Sequence, residues 1–189
     1  MDQEKIKRGV RLILEGVGED PEREGLKATP QRVADSYAEL CRGLLPGSCR
    51  PISTMESSNQ NELIIVKDIS FASLCEHHLL PFLGRCDVVY LPANDRIAGL
   101  SSIVETVETM AARPTIQERL TTDIAERLMN ELKAKGVMVV MEAEHMCLAM
   151  RGVKKRDSRI VTSAMRGYLK KLETRTEALS LIGRSISSR

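Results

Sequence analysis

Tryptophan is absent from this chain of 189 residues, and it holds only two phenylalanines and three tyrosines. The core must therefore be built from Leu, Ile, Val, Met and Ala, and so few aromatics argue against the base-stacking platforms of single-stranded nucleic-acid binders. No apolar run is long enough to span a bilayer, and the polar start Met1-Asp2-Gln3-Glu4-Lys5 has no secretory pattern. A cytoplasmic protein with no membrane partner is expected. Neither sign of charge is in excess, since 28 Lys and Arg against 26 Asp and Glu leave a formal net charge of +2. Global electrostatics thus favours neither nucleic acid nor an anionic surface, and any basic site must be local. Five cysteines are an odd number, and in that compartment a disulfide framework is not expected.

Histidine is scarce too, and its placement is informative. All three histidines lie within three residues of a cysteine, in Cys75-Glu76-His77-His78 and in His145-Met146-Cys147. Thiolate and imidazole are preferred zinc ligands, and the spacing of Cys75 and His78 lets one short loop chelate a single ion. Cys147 is the best third ligand from elsewhere in the chain. Residues 137–150 read as a strand, on which His145 and Cys147 would share a face. Three protein ligands with an open fourth position describe a catalytic zinc that activates water. A closed structural site, with His145 or His77 as fourth ligand, would use the same residues, and adjacent histidines can also be plain surface residues.

Ile6, Val10, Ile13 and Val17 recur at helical spacing, so the chain is expected to open with an amphipathic helix. Asp20-Pro21 can start a short helix, and Thr29-Pro30 a longer one that Gly43 closes. Residues 44–61, with Pro46, Gly47 and Pro51, read as a connector. The expected division is a helical region with connector over 1–60 and a zinc-containing catalytic domain over 61–189. Strands are expected over 62–69 and 82–91 with the Cys75 loop between them, followed by a helix capped by Ser101 and stopped by Pro114. A long helix ending before Gly136, strands over 137–150 and 160–166, a polar helix over 172–182 and a loose tail complete the chain. This order predicts an α+β fold: N-terminal helices plus an antiparallel four-stranded sheet with two helices on one face. Its open edges invite pairing with further copies.

Cys75-Glu76-His77-His78, Gly99-Leu100-Ser101, Gln117-Glu118-Arg119-Leu120-Thr121, His145-Met146-Cys147 and Met150-Arg151-Gly152-Val153 occur in this order. With Thr29-Pro30-Gln31-Arg32-Val33 and Thr162-Ser163-Ala164-Met165-Arg166-Gly167, they make the chain resemble GTP cyclohydrolase I over most of its length. The resemblance implies the tunnelling fold, in which subunit sheets close into a barrel and rings stack into a homodecamer. It implies a Zn2+ enzyme that hydrolyses the guanine imidazole ring of GTP at C8, releases formate and forms 7,8-dihydroneopterin triphosphate. It implies zinc on Cys75, His78 and Cys147, His145 as acid/base near the purine, His77 on the ribose side and Ser101 as a substrate contact. It places Glu118, with Gln117, at the guanine edge and makes Arg151 a phosphate ligand, with Arg32 as a second. Each role has a structural competitor: a helix cap for Ser101, a capping box from Thr115 to Glu118, and a solvated basic loop for Arg151, Lys154, Lys155, Arg156 and Arg159.

One segment departs from the family pattern. The Lys that usually follows the Ser101 position and the Arg three residues later, both triphosphate contacts, are here Ser102 and Glu105. Two alternatives therefore stand beside the GTP reading. One is a related cyclohydrolase for a less phosphorylated guanine substrate, and the other is a zinc-stabilised oligomer that binds a purine, pterin or RNA without turnover.

Overall fold

The structure, a computed structural model, describes residues 1–183, and the expected loose tail lies from residue 184 outside the described residues. Helix α1 (Gln3–Gly16) is capped by Asp2, whose carboxylate accepts the Lys5 N–H at 3.0 Å. It packs on α2 (Thr29–Leu40), but Ile13 and Val17, expected on its buried stripe, are exposed. The short helix expected at Asp20-Pro21 does not form. Asp20 Oδ1 instead accepts the Glu22 N–H at 2.9 Å, a local side-chain bond that favours a turn over a helix. Pro30 sits in the first turn of α2, where a missing N–H leaves nothing unsatisfied.

Four long strands form the body of the sheet: β2 (Ile64–Cys75), β3 (Pro81–Leu91), β6 (Gly136–His145) and β7 (Ile160–Gly167), each antiparallel to its neighbour. The expected four-stranded antiparallel sheet is corrected by a fifth strand, β5 (Pro114–Thr115), which runs parallel to the end of β2 and makes the sheet mixed, in the order β5-β2-β3-β6-β7. The reason is the crossing from helix α3 (Leu100–Ala111) to helix α4 (Gln117–Leu132), which carries the chain past the last two residues of β2. Pro114 is tolerated there because β5 is an edge strand. The connector also holds a strand, β1 (Thr54–Glu56), which pairs with β4 (Arg96–Ala98).

The period of two along the strands separates two cores. Cys86, Val88 and Tyr90 of β3 with Val137, Val139 and Met141 of β6 face α3 and α4, where Ile103, Val107, Leu120, Ile124 and Leu128 are fully buried. Each such aliphatic side chain contributes about 1.5–3 kcal/mol by burial. Val89, Met138 and Val140 point the other way and meet Leu169, Ala178 and Ile182, so helix α6 (Leu172–Ile182) covers the second face. The two helices expected on one face are present, with a third opposite. Helix ends differ in detail from expectation. Lys133, in the left-handed region, ends α4, whereas Gly136 opens β6. α2 stops at Leu40, and Gly43 lies in a 3-10 turn with its N–H on Ala112 O at 2.9 Å.

Gly84 decides how closely β3 and β6 approach near their functional ends. A Cβ there would stand 1.9 Å from the Glu142 carbonyl oxygen and 2.7 Å from Ala143 Cα, both backbone atoms that cannot swing aside. Gly84→Ala is expected to lower unfolding stability by about 1–3 kcal/mol through overpacking, measured by urea titration. An unchanged midpoint would show that the strands separate at no cost.

Candidate active site

Cys75 is the last residue of β2, and the loop behind it folds back on it: the N–H groups of His78 and Leu79 donate to Cys75 O at 3.3 and 2.8 Å, and the Cys75 N–H donates to Leu80 O at 2.8 Å. Leu79 takes a left-handed conformation to close this turn. At the other side of β3, the ladder sets His145 opposite Phe82. The strand expected to run through residue 150 ends at His145, because β3 begins at Pro81 and offers nothing further to pair with. Cys147 therefore does not share a strand face with His145. It lies in the single turn α5 (Met146–Ala149), closed by the Met150 N–H on Met146 O at 3.0 Å.

The two turns bring the side chains of Cys75, His78 and Cys147 together, with ligand atoms all within 4.8 Å of one another. Burial raises the pKa of the Cys147 thiol, and the neighbouring Cys75 sulfur raises it further. Two thiolates side by side need a cation, and this donor set fits a tetrahedral thiophilic ion, which would draw ligands at about 2.0–2.3 Å from its centre. Cys75 is buried while His78 is exposed, so one side of the group is open to solvent.

Around this group the charged residues are tied to one another. Arg151 Nη1 donates to His78 Nε2 at 3.0 Å. Arg119 grips Glu76 through both carboxylate oxygens at 2.6 and 3.2 Å, fastening the Cys75 loop to the start of α4. His77 is exposed, with its ring 6.4 Å from that of His78 and nearly perpendicular to it. His145 is half-buried and stacks flat on Phe82, with ring centroids 4.6 Å apart and planes 7° from parallel. Burial lowers its pKa, and the nearby Glu118 carboxylate acts in the opposite direction. Its Nε2 lies 2.8 Å from Oε1 of Gln117, a residue with no solvent exposure.

Glu118 is exposed in the first turn of α4. The capping box does not form: Ile116 is the N-cap without a side-chain bond, and Thr115 Oγ1 donates to Ile116 O at 3.3 Å. The cap expected from Ser101 is also absent, because α3 starts after Gly99 and Ser101 is already helical. Ser101 sits at the far end of α3, whose twelve residues rise about 1.5 Å each toward the Pro114 end beside Cys75. Within one chain, Ser101 is thus not gathered with the thiol–imidazole group. Ser102 Oγ donates to Gly99 O at 2.8 Å and lies 3.1 Å from Ser53 Oγ. Ser102 and Glu105 line a cavity of about 280 Å³ with Arg42, Arg50 and Cys49. Arg32 is exposed on α2, which packs chiefly on α1.

Two contacts were not expected from the sequence: the Phe82 stack and the Arg119 grip on Glu76. Arg119 lies inside the motif Gln117-Glu118-Arg119-Leu120-Thr121, and Phe82 opens the strand expected over 82–91.

The thiol–imidazole–thiol group, open to solvent beside a half-buried histidine, could hold a metal ion. The family model described as GTP cyclohydrolase I matches residues 6–183. The chain is 50% identical over 184 residues to GTP cyclohydrolase 1 of Carboxydothermus hydrogenoformans, covering 97% of this chain and 96% of that one. It is 52% identical over 182 residues to GTP cyclohydrolase 1 of Pelotomaculum thermopropionicum, covering 96% and 97%. A solved E. coli dihydroneopterin aldolase in complex with neopterin is similar over 56% of this chain and 99% of its own, at a TM-score of 0.45 and 16% identity. The chain belongs to the GTP cyclohydrolase I family.

Cys75→Ala, His78→Ala and Cys147→Ala are each expected to lose bound metal, while His77→Ala and His145→Ala retain it and lose activity. Elemental analysis of the purified variants separates the two groups. Loss of metal from His145→Ala would mean that this imidazole closes the site.

Proposed function

We infer that this protein is a zinc-dependent GTP cyclohydrolase I that opens the guanine imidazole ring at C8, releases formate and forms 7,8-dihydroneopterin triphosphate. The observation that carries the reading is the meeting of Cys75, His78 and Cys147 beside His145 in a chain of this family. These three residues would hold the zinc, which when bound supplies a Lewis acid that activates water at neutral pH. His145, whose pKa burial lowers, takes up and returns the proton near the purine ring. His77, exposed on the adjoining loop, serves the ribose side. The exposed Glu118 carboxylate accepts from the guanine ring N–H and its exocyclic amine, a pair of hydrogen bonds that adenine cannot supply.

Arg151 stands at the rim of the zinc group as a phosphate ligand, and Arg32 is assigned as a second. The basic loop after Arg151 folds back on the Cys147 turn, with the Lys154 N–H on Arg151 O at 3.3 Å and the Lys155 N–H on Leu148 O at 3.1 Å. It supports the triphosphate in place of cations at positions 102 and 105. Ser101 reaches the substrate from a neighbouring copy, since its own helix carries it away from its own Cys75. That copy is recruited by the outer strand β7, where Val161 is 60% exposed. We assign the assembly to the tunnelling-fold barrel and the homodecamer. A reducing cytoplasm suits the site, because all five cysteines are free and two must bind zinc as thiolates. Among the described residues no helix is long and apolar enough to cross a membrane.

The neutral Ser102 and anionic Glu105 favour a second reading, in which the same ring opening acts on a less phosphorylated guanine substrate. Zinc-loaded protein incubated with GTP, GMP and guanosine, followed by formate release and pterin absorbance, separates the possibilities. Formate from GTP is the expected result, and no product from any substrate would overturn an enzymatic role. Ser102→Lys with Glu105→Arg is expected to raise kcat/KM on GTP by about tenfold or more, worth about 1.4 kcal/mol, and to leave guanosine unchanged. An equal change on both substrates would remove this helix from the phosphate site.

A further inference from the structure

Gln117 has no solvent exposure, and its amide nitrogen lies 3.1 Å from Met141 O, 3.0 Å from Ile160 O and 3.1 Å from Thr162 Oγ1. Two of these are carbonyl oxygens, which only accept, so the NH2 end must face them; the reverse orientation would set oxygen against oxygen in a buried site. The hydroxyls agree. Thr121 Oγ1 donates to Gln117 O at 2.7 Å, so its lone pair receives the Thr162 hydroxyl proton at 2.6 Å, and the Thr162 oxygen is left to accept from the Gln117 amide. The two amide protons are shared among these three acceptors, and each hydroxyl proton has one direction. The Gln117 amide oxygen is thereby turned to His145, 2.8 Å from Nε2.

An amide oxygen can only accept, so Nε2 must carry the proton. A neutral imidazole has a single N–H, and the lone pair then belongs to Nδ1. We propose that Gln117 is a positioning residue that holds His145 as its Nε2–H tautomer, so that Nδ1 is the atom that exchanges a proton with the substrate. The Phe82 stack fixes the plane of the ring, and the hydrogen bond to Gln117 fixes its rotation within that plane. This moves Gln117 from the guanine edge, where the motif with Glu118 had placed it, to a place behind the histidine. The proton-exchange role rests on the cyclohydrolase reading, whereas the proton on Nε2 rests on hydrogen-bond geometry alone.

Neutron diffraction from deuterium-exchanged, zinc-loaded wild-type crystals, paired with steady-state kinetics of Gln117→Met on GTP, tests both parts. Deuterium on His145 Nε2 and none on Nδ1 is expected. The variant is expected to keep its zinc, lose about 10²-fold or more in kcat and hold KM for GTP within about threefold, since it removes no substrate contact. Deuterium on Nδ1 alone would overturn the proposal, as would a variant with unchanged kcat and a raised KM, the behaviour of a substrate ligand. Should Gln117→Met fail to fold, the wild-type neutron density still decides the tautomer. If wild-type protein turns over no GTP, the cyclohydrolase reading fails and the proton-exchange role of Nδ1 with it, independently of where the deuterium lies.

Discussion

Opposite Phe82 in the β3–β6 ladder stands His145, and opposite Leu74 in the β2–β3 ladder stands Pro81. This register at one end of the sheet holds the site together. It makes the Cys75 loop and the Cys147 turn leave the sheet side by side, and it lays the His145 ring on Phe82. A slip of one residue between β3 and β6 would turn His145 to the opposite face and carry it away from both Phe82 and Gln117. Gly84 protects the register, because only a residue without Cβ fits against the Glu142 carbonyl at that distance.

The polar interior at this end follows from the same geometry. A buried amide left without partners would be destabilising by about 1–3 kcal/mol, so Gln117 is tolerated only because β6, β7 and His145 satisfy it together. The satisfied amide then serves as a rigid backing for an imidazole whose other side faces the site. Outside this shell the contacts are looser. Arg119 with Glu76 and Arg151 with His78 are exposed pairs, which carry little folding stability.

Much of the site was legible in the sequence, because scarcity concentrates meaning: with three histidines in 189 residues, each within three residues of a cysteine, the donor set of Cys75, His78 and Cys147 could be read before any fold was known. The long strands and α4 were legible through their apolar periods. What could not be read depended on tertiary supply and demand. The end of β6 at His145 is set by where β3 begins, and β5 exists because the link from α3 to α4 passes an open strand end. Ser101 and Thr115 carry good capping side chains, yet the helices start elsewhere, since local capping preferences yield to the packing of α3 and α4 on the sheet. The full burial of Gln117 had no local signal at all, as its neighbour Glu118 is exposed one residue on.

The central claim is that one open zinc site is built from Cys75, His78 and Cys147. Zinc K-edge X-ray absorption on the loaded, substrate-free protein reads the ligand set directly. Two sulfurs at about 2.3 Å, a single imidazole at about 2.0–2.1 Å and one further light ligand are the expected result. Two imidazoles in the inner shell, or fewer than two sulfurs, would contradict it.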